Sequence, residues 1–155
     1  MSNQDWPAEV TPETFLQMGR DVLARQPFSM LIGAELTELR PGHCVLQLPI
    51  TDKLKQQDGF AHGGVVSYLA DNALTYAGGT AMRVPVVTAE YKINYVRPAV
   101  GQRLIARAQA VHVSKSQAVC RCDVFAVIDG QEKLCAVAQG TIAKLGDANA
   151  TSQAA

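Results

Sequence analysis

The chain has 155 residues, with 14 Lys+Arg against 14 Asp+Glu, 48% hydrophobic residues and 18% charged ones. This length predicts one domain, and balanced charge without a Lys/Arg cluster argues against a nucleic-acid-binding face. No apolar run is long enough to span a bilayer. The opening MSNQDWPAEVTPE is polar and acidic and has no apolar core of a secretory signal, so the expected setting is cytoplasmic, away from membranes.

In chain order, residues 1–10 read as a flexible tail, 11–145 as one folded domain and 146–155 as a second flexible tail. Thr11 to about Gln26 predicts a helix, with Thr11 as cap, Pro12 in the first turn and an apolar side of Phe15, Leu16, Met18, Val22 and Leu23. Pro27 should end it. Ile32–Glu38 and Cys44–Ile50 predict two strands joined through Arg40-Pro41-Gly42-His43. Residues 51–60 read as a polar loop and Ala61–Met82 as a long helix. Four strands follow: Val86–Val96, Leu104–Val113, Gln117–Ile128 and Leu134–Leu145. The breaks are at 97–101, at 114–116 and at Asp129-Gly130, the last a hairpin signal. The order predicts an α+β fold in which an antiparallel sheet wraps around a central helix.

The central helix carries the chemistry. His62-Gly63-Gly64 stands at its mouth, where unpaired N–H groups and the positive end of the helix dipole can hold a developing oxyanion. At 100° per residue, Val65, Val66, Leu69, Ala70, Ala73, Leu74 and Ala77 share one half of the helix. Gly64, Ser67, Asp71, Thr75 and Gly78 gather on the other. A solvated face would carry Lys, Glu or Gln; this one has only small residues and one carboxylate, so something should pack over it. The alternative is a purely structural Asp at an interface.

Cys44, Cys120, Cys122 and Cys135 form no CxxC pair and read as small core residues in a reducing compartment. No zinc-ligand spacing is present, so neither metal nor other cofactor is expected.

HGGVVSYLADNA, followed after a short break by TAEYKINYVRPA, resembles the PaaI-like acyl-CoA thioesterases of the hotdog fold, over roughly residues 30–145. The resemblance implies a sheet wrapped around the helix, an acyl-CoA substrate and sites at the interface of a homodimer that assembles further to a homotetramer. It implies that the Gly63 N–H polarises the thioester carbonyl, that Asp71 is general base or nucleophile, and that Thr88 orients the attacking water. Gln56 stands where many relatives have an Asn near the thioester. His62 and Gly64, at the mouth, are counted with Gln56 as substrate-binding residues, the His62 ring being better suited to fixing the turn than to acting as a base. Arg83, Arg97 and Lys115, each near an element end, are candidates for the CoA phosphates.

Gly63 and Asp71 are eight residues apart, about 12 Å along one helix. Reacting groups should lie about 3 Å from the reacting carbon. One helix cannot easily supply both, whereas two antiparallel copies can, with Gly63 from one subunit and Asp71 from the other. Two other functions compete: a hydratase or dehydratase on the same fold, which would pair a His with a carboxylate, and a non-catalytic acyl-CoA-binding protein. The acyl group itself is not legible.

Overall fold

The computed structural model describes residues 10–146, so the expected tails fall mostly outside the described residues. The elements are α1 (Pro12–Ala24), α2 (Pro27–Leu31), β1 (Glu35–Arg40), β2 (His43–Pro49), a 3-10 turn (Asp52–Leu54), α3 (Gly63–Met82), β3 (Val86–Tyr95), β4 (Arg103–Val113), β5 (Gln117–Ile128) and β6 (Gln131–Lys144). The strands form one antiparallel sheet in the order β1-β2-β4-β5-β6-β3. This is the hotdog arrangement expected from the sequence, with α3 lying across one face of the sheet.

Three local departures have physical causes. Pro27 ends α1 and also opens α2, since proline suits a first helical turn; five residues are too few to show a helical period in sequence. β1 therefore begins at Glu35 rather than Ile32. A bulge at Thr37 breaks its alternation, so that Leu36 and Leu39 are both buried. β6 begins three residues before Leu134, because Asp129 and Gly130 both take positive φ (49° and 76°), as a two-residue hairpin turn requires, and pair Ile128 with Gln131.

The core explains how close α3 comes to the sheet. Leu69, Ala70, Ala73, Leu74 and Ala77 are fully buried, and they meet a sheet face rich in small residues, including Ala106, Ala108, Cys120, Cys122 and Ala138. Gly78 allows the closest approach: a Cβ there would lie 2.7–2.9 Å from the branched carbons of Ile142. Gly78 is thus covered by β6, and Gly64 is exposed at the mouth, so neither completes the small polar stripe as expected. Val65 is only half-buried, at the margin of the apolar half. Tyr76 is a core residue whose hydroxyl donates to Gly19 O at 3.0 Å. All four cysteines are buried and unpaired. Burial pushes their thiols up, to about 11 for Cys120 and Cys135 and well above the usual range for Cys44 and Cys122, so they remain protonated at neutral pH.

Candidate active site

What packs over the small polar stripe is β3 of the same chain. Its inward residues Tyr95, Tyr91 and Thr88 run antiparallel to Gly63, Ser67 and Asp71–Thr75, and side-chain hydroxyls make the contacts. Tyr95 donates to Gly63 O at 3.0 Å. The Tyr91 and Ser67 hydroxyls are hydrogen-bonded to each other. Thr88 Oγ1 donates to Asp71 Oδ1 at 2.7 Å and lies 2.8 Å from Thr75 Oγ1. A bulge at Ala89 keeps Thr88 and Tyr91 on one face although they are three residues apart.

Asp71 is half-buried. Its Oδ1 is held by Thr88, while Oδ2 has no hydrogen-bond partner among the described residues. No buried side-chain oxygen or nitrogen among them is unsatisfied, so Oδ2 is open to solvent. A carboxylate with one oxygen fixed and the other free can take a proton from water or attack a carbonyl. Thr75 also reaches Asp71 O at 2.9 Å, leaving two hydroxyl protons for three close contacts, a network able to rearrange.

At the other end of the stripe, His62 caps α3. Its Nδ1 accepts the Gly64 N–H at 2.9 Å, which makes Nδ1 the unprotonated nitrogen. The Gly63 N–H donates to no group among the described residues. The two glycines have different reasons. A Cβ on Gly64 would sit 3.0 Å from His62 Nδ1 and press on the cap. The atoms nearest a Cβ on Gly63 would be the Tyr95 ring and hydroxyl, at an ordinary 3.7 Å, and Gly63 does not have a positive φ. Among the described residues no close contact demands glycine at 63; open access to its N–H is what a side chain would obstruct.

Gly63 opens on a cleft of about 390 Å³ that it shares with Gln56, Tyr95 and Arg97. Gln56 Oε1 accepts the Asp58 N–H, which leaves its Nε2 donors free for the cleft. Arg97 is exposed and donates to Leu134 O at 3.0 Å. Gln56, Gly63 and Arg97 thus come together, as do Asp71 and Thr88, the two groups being separated along α3. Arg83 and Lys115 do not join them within one chain. Arg83 caps the opposite end of α3 in a left-handed conformation, roughly 30 Å from Gly63. Lys115 lies in the β4–β5 turn at that same end, where Lys144 N–H donates to Ser116 O and Leu145 N–H to Pro85 O. Sequence reading gave no role to Ser67, Thr75, Tyr91 or Tyr95. Its usable signal was Tyr91 and Tyr95 on one face of a strand, against Ser67, Asp71 and Thr75 at steps of four on a helix.

A second cavity, about 270 Å³, lies between α1, α3 and the start of β3. Phe15, Met18, Val22 and Val86 make it apolar, and Asn72 and Thr75 bring it beside Asp71. Among the described residues no three His, Cys, Asp or Glu side chains converge as a metal site would require.

Comparison with known proteins decides the family. The thioesterase superfamily model matches residues 58–133, the segment from the Gly63 cleft through β5. A 1,4-dihydroxy-2-naphthoyl-CoA hydrolase of Listeria monocytogenes is 32% identical over 114 residues, 72% of this chain and 90% of that protein. The chain belongs to the thioesterase superfamily. It shares the fold of a thioesterase family protein from Silicibacter pomeroyi (36% identity, TM-score 0.80, 85% of this chain and 99% of that one). A variant of the phenylacetic acid degradation protein PaaI from Thermus thermophilus also matches (34% identity, TM-score 0.68, 77% and 100%). The protein is therefore a PaaI-like hotdog hydrolase. Among the described residues, no helix is long and apolar enough to cross a membrane.

Proposed function

We propose that this thioesterase hydrolyses acyl-CoA to a free carboxylic acid and CoA, within a single domain over 11–145 and without a metal or other cofactor. The observation that carries the reading is the pairing, on one face of one helix, of an unpartnered first-turn N–H at Gly63 with a carboxylate at Asp71 oriented by Thr88. The thioester carbonyl oxygen takes the Gly63 N–H, with the Gln56 amide as a second donor in the same cleft. Asp71 acts on the carbonyl carbon as general base for water or as nucleophile. Thr88 holds Oδ1 so that Oδ2 faces the reaction. With its proton given to Asp71, Thr88 positions the carboxylate directly and water only through it.

The two halves belong to two subunits, since eight residues of helix keep them about 12 Å apart in one chain. β3 supports this arrangement. It is a ten-residue sheet edge that among the described residues pairs with β6 and no other strand, with Val87 and Tyr95 about half exposed. Such an edge is suited to pairing with its own copy. Antiparallel pairing of two β3 strands lays the Arg83 and Lys115 end of one subunit beside the Arg97 end of the other. All three cations then serve one CoA, and a homodimer, able to assemble further to a homotetramer, is the functional unit. The 270 Å³ cavity suits the acyl group: an apolar cavity of 150 Å³ already accepts benzene, and the Listeria relative is named for an aromatic acyl-CoA.

The hydratase alternative is the weaker reading, because it needs His62 as an acid or base, and the His62 ring already has a structural task, its Nδ1 accepting the Gly64 N–H to cap α3. The test is thiol release from a panel of aromatic, medium-chain and short-chain acyl-CoAs, with an enoyl-CoA watched for hydration. Asp71→Asn should lower kcat by at least about 10²-fold, as loss of a positioned base does. Absence of thiol release across the panel, or full activity in the Asn variant, overturns the reading.

A further inference from the structure

The mouth of α3 is built from residues that hold a helix poorly. Gly63 and Gly64 fill its first two positions, and glycine gives up more backbone freedom in a helix than any other residue. First turns also lack half of their hydrogen bonds. Yet a donor that is to stabilise an oxyanion must be aimed before the charge develops. Besides the helical bonds of Val65 and Val66 N–H to His62 O, three bonds hold this turn. His62 N–H donates to Leu54 O at 2.8 Å, Gly64 N–H to His62 Nδ1 at 2.9 Å and the Tyr95 hydroxyl to Gly63 O at 3.0 Å. The first two are made by the cap residue and the preceding loop. The third comes from the sheet.

Tyr95 does not earn its place by core packing, being 53% exposed. Its ring lies against Gly63, and its hydroxyl grips the Gly63 carbonyl. Seven residues earlier, the same strand supplies Thr88 to Asp71. β3 thus touches both ends of the polar stripe through two hydroxyls. We propose that Tyr95 is a positioning residue for the carbonyl-polarising donor: its hydroxyl holds the Gly63–Gly64 peptide while Val65 and Val66 N–H hold His62 O in the His62–Gly63 peptide, so that the freely rotating glycine between the two planes is fixed on both sides with its N–H toward the cleft, and β3 acts as a ruler registering that donor against the carboxylates of the assembled enzyme. This rests on the acyl-CoA thioesterase reading above.

Tyr95→Phe keeps the ring and removes only the hydroxyl. Its kcat should fall about tenfold, the scale of one net hydrogen bond expressed in the transition state, while KM stays within about twofold. A spectroscopic readout separates positioning from packing. In the Asp71→Asn background, an acyl-CoA labelled with carbon-13 at the thioester carbonyl should show a lowered carbonyl stretch when bound, and adding Tyr95→Phe should reverse part of that shift. Unchanged kcat with an unchanged carbonyl stretch overturns the proposal. So does a raised KM with unchanged kcat, which would make Tyr95 a substrate-holding residue, and so does a loss of kcat with no change in the stretch. A wild-type protein that releases no thiol from any acyl-CoA overturns instead the reading beneath it, and that result needs no variant.

Discussion

Replacing Gly63 by proline separates a functional glycine from a structural one. Position 63 is the first residue of α3, where proline's fixed φ fits and its missing N–H breaks no helical bond. The residue before a proline must be extended, and His62 already is, with φ −60° and ψ 137°. The Gly63 N–H donates to nothing among the described residues, so the fold loses no hydrogen bond. Substitution by proline at a compatible site stabilises by about 0.4–1 kcal/mol through the unfolded chain. For a chain of this size that raises Tm by roughly 1–4 °C. Catalysis should go the other way. Loss of one oxyanion donor costs about 10²–10³ in kcat, or about 2.7–4 kcal/mol of transition-state stabilisation. Gly63→Ala should fall between the two, since its Cβ meets the Tyr95 ring at an ordinary 3.7 Å but intrudes on the approach to the N–H. Gly64→Ala is the control: its Cβ, 3.0 Å from His62 Nδ1, should lower Tm by disturbing the cap. Thermal melts and steady-state thiol release on the same samples give both numbers. Full activity in a well-folded Gly63→Pro enzyme, or a marked loss of stability, would refute the assignment.

Mixing inactive Gly63→Pro with inactive Asp71→Asn subunits should restore activity, because each heterodimer then holds one site with both defects and one with neither; no recovery in a heterodimer verified by native mass spectrometry would place both groups in one chain's site. Thr88→Val leaves Asp71 Oδ1 without its donor and should lower kcat by roughly 10- to 100-fold, the cost of a hydrogen bond to a charged group, with little change in KM; activity equal to wild type would make the Thr88–Asp71 bond incidental. The raised thiols of Cys44, Cys120, Cys122 and Cys135 hold the protonated, unreactive form at neutral pH, so a thiol reagent should find none of the four in the native protein and all of them after denaturation; rapid native labelling at pH 7 would contradict their burial.

The parts of the fold legible in sequence are those where the local pattern and the tertiary burial agree. β5 alternates between a buried and a more exposed face along most of its length, and its limits, Gln117–Ile128, were readable to the residue. β6 was shortened by three because Gln131, Glu132 and Lys133 extend the hairpin beyond the core, where no apolar residue marks a strand. β1 was displaced because α2 takes Pro27–Leu31 and a bulge shifts Leu39 inward, neither of which leaves a period to read. Asp71 stood out in sequence by what surrounds it: an uncharged stripe of small residues lacks the long side chains of a solvated face. The strand that covers this stripe was not legible as such, because α3 and β3 meet through the crossover that sends β3 past β6 to the far edge of the sheet, and residue spacing within either element carries no trace of that edge.

That same crossover divides the basic candidates. Helix length sets Arg83 and Lys115 at one end of α3 and Gly63 with Arg97 at the other, so within one chain no single CoA can touch all of them. Sequence supplied the cations but not their end of the molecule, and the end is what matters. In the proposed dimer an antiparallel partner brings Asp71 toward Gly63 and, by the same two-fold, carries the Arg83 end to the Arg97 side of the cleft, because both displacements run along α3 and β3. On the proposed reading, the placing of the phosphates and the placing of the carbonyl ask for the same assembly. Substituting Arg83 should raise KM for acyl-CoA, but not for a short thioester lacking the nucleotide, and only in the assembled protein. An equal effect on both thioesters would detach Arg83 from the phosphates and leave the two-subunit site to rest on Gly63 and Asp71 alone.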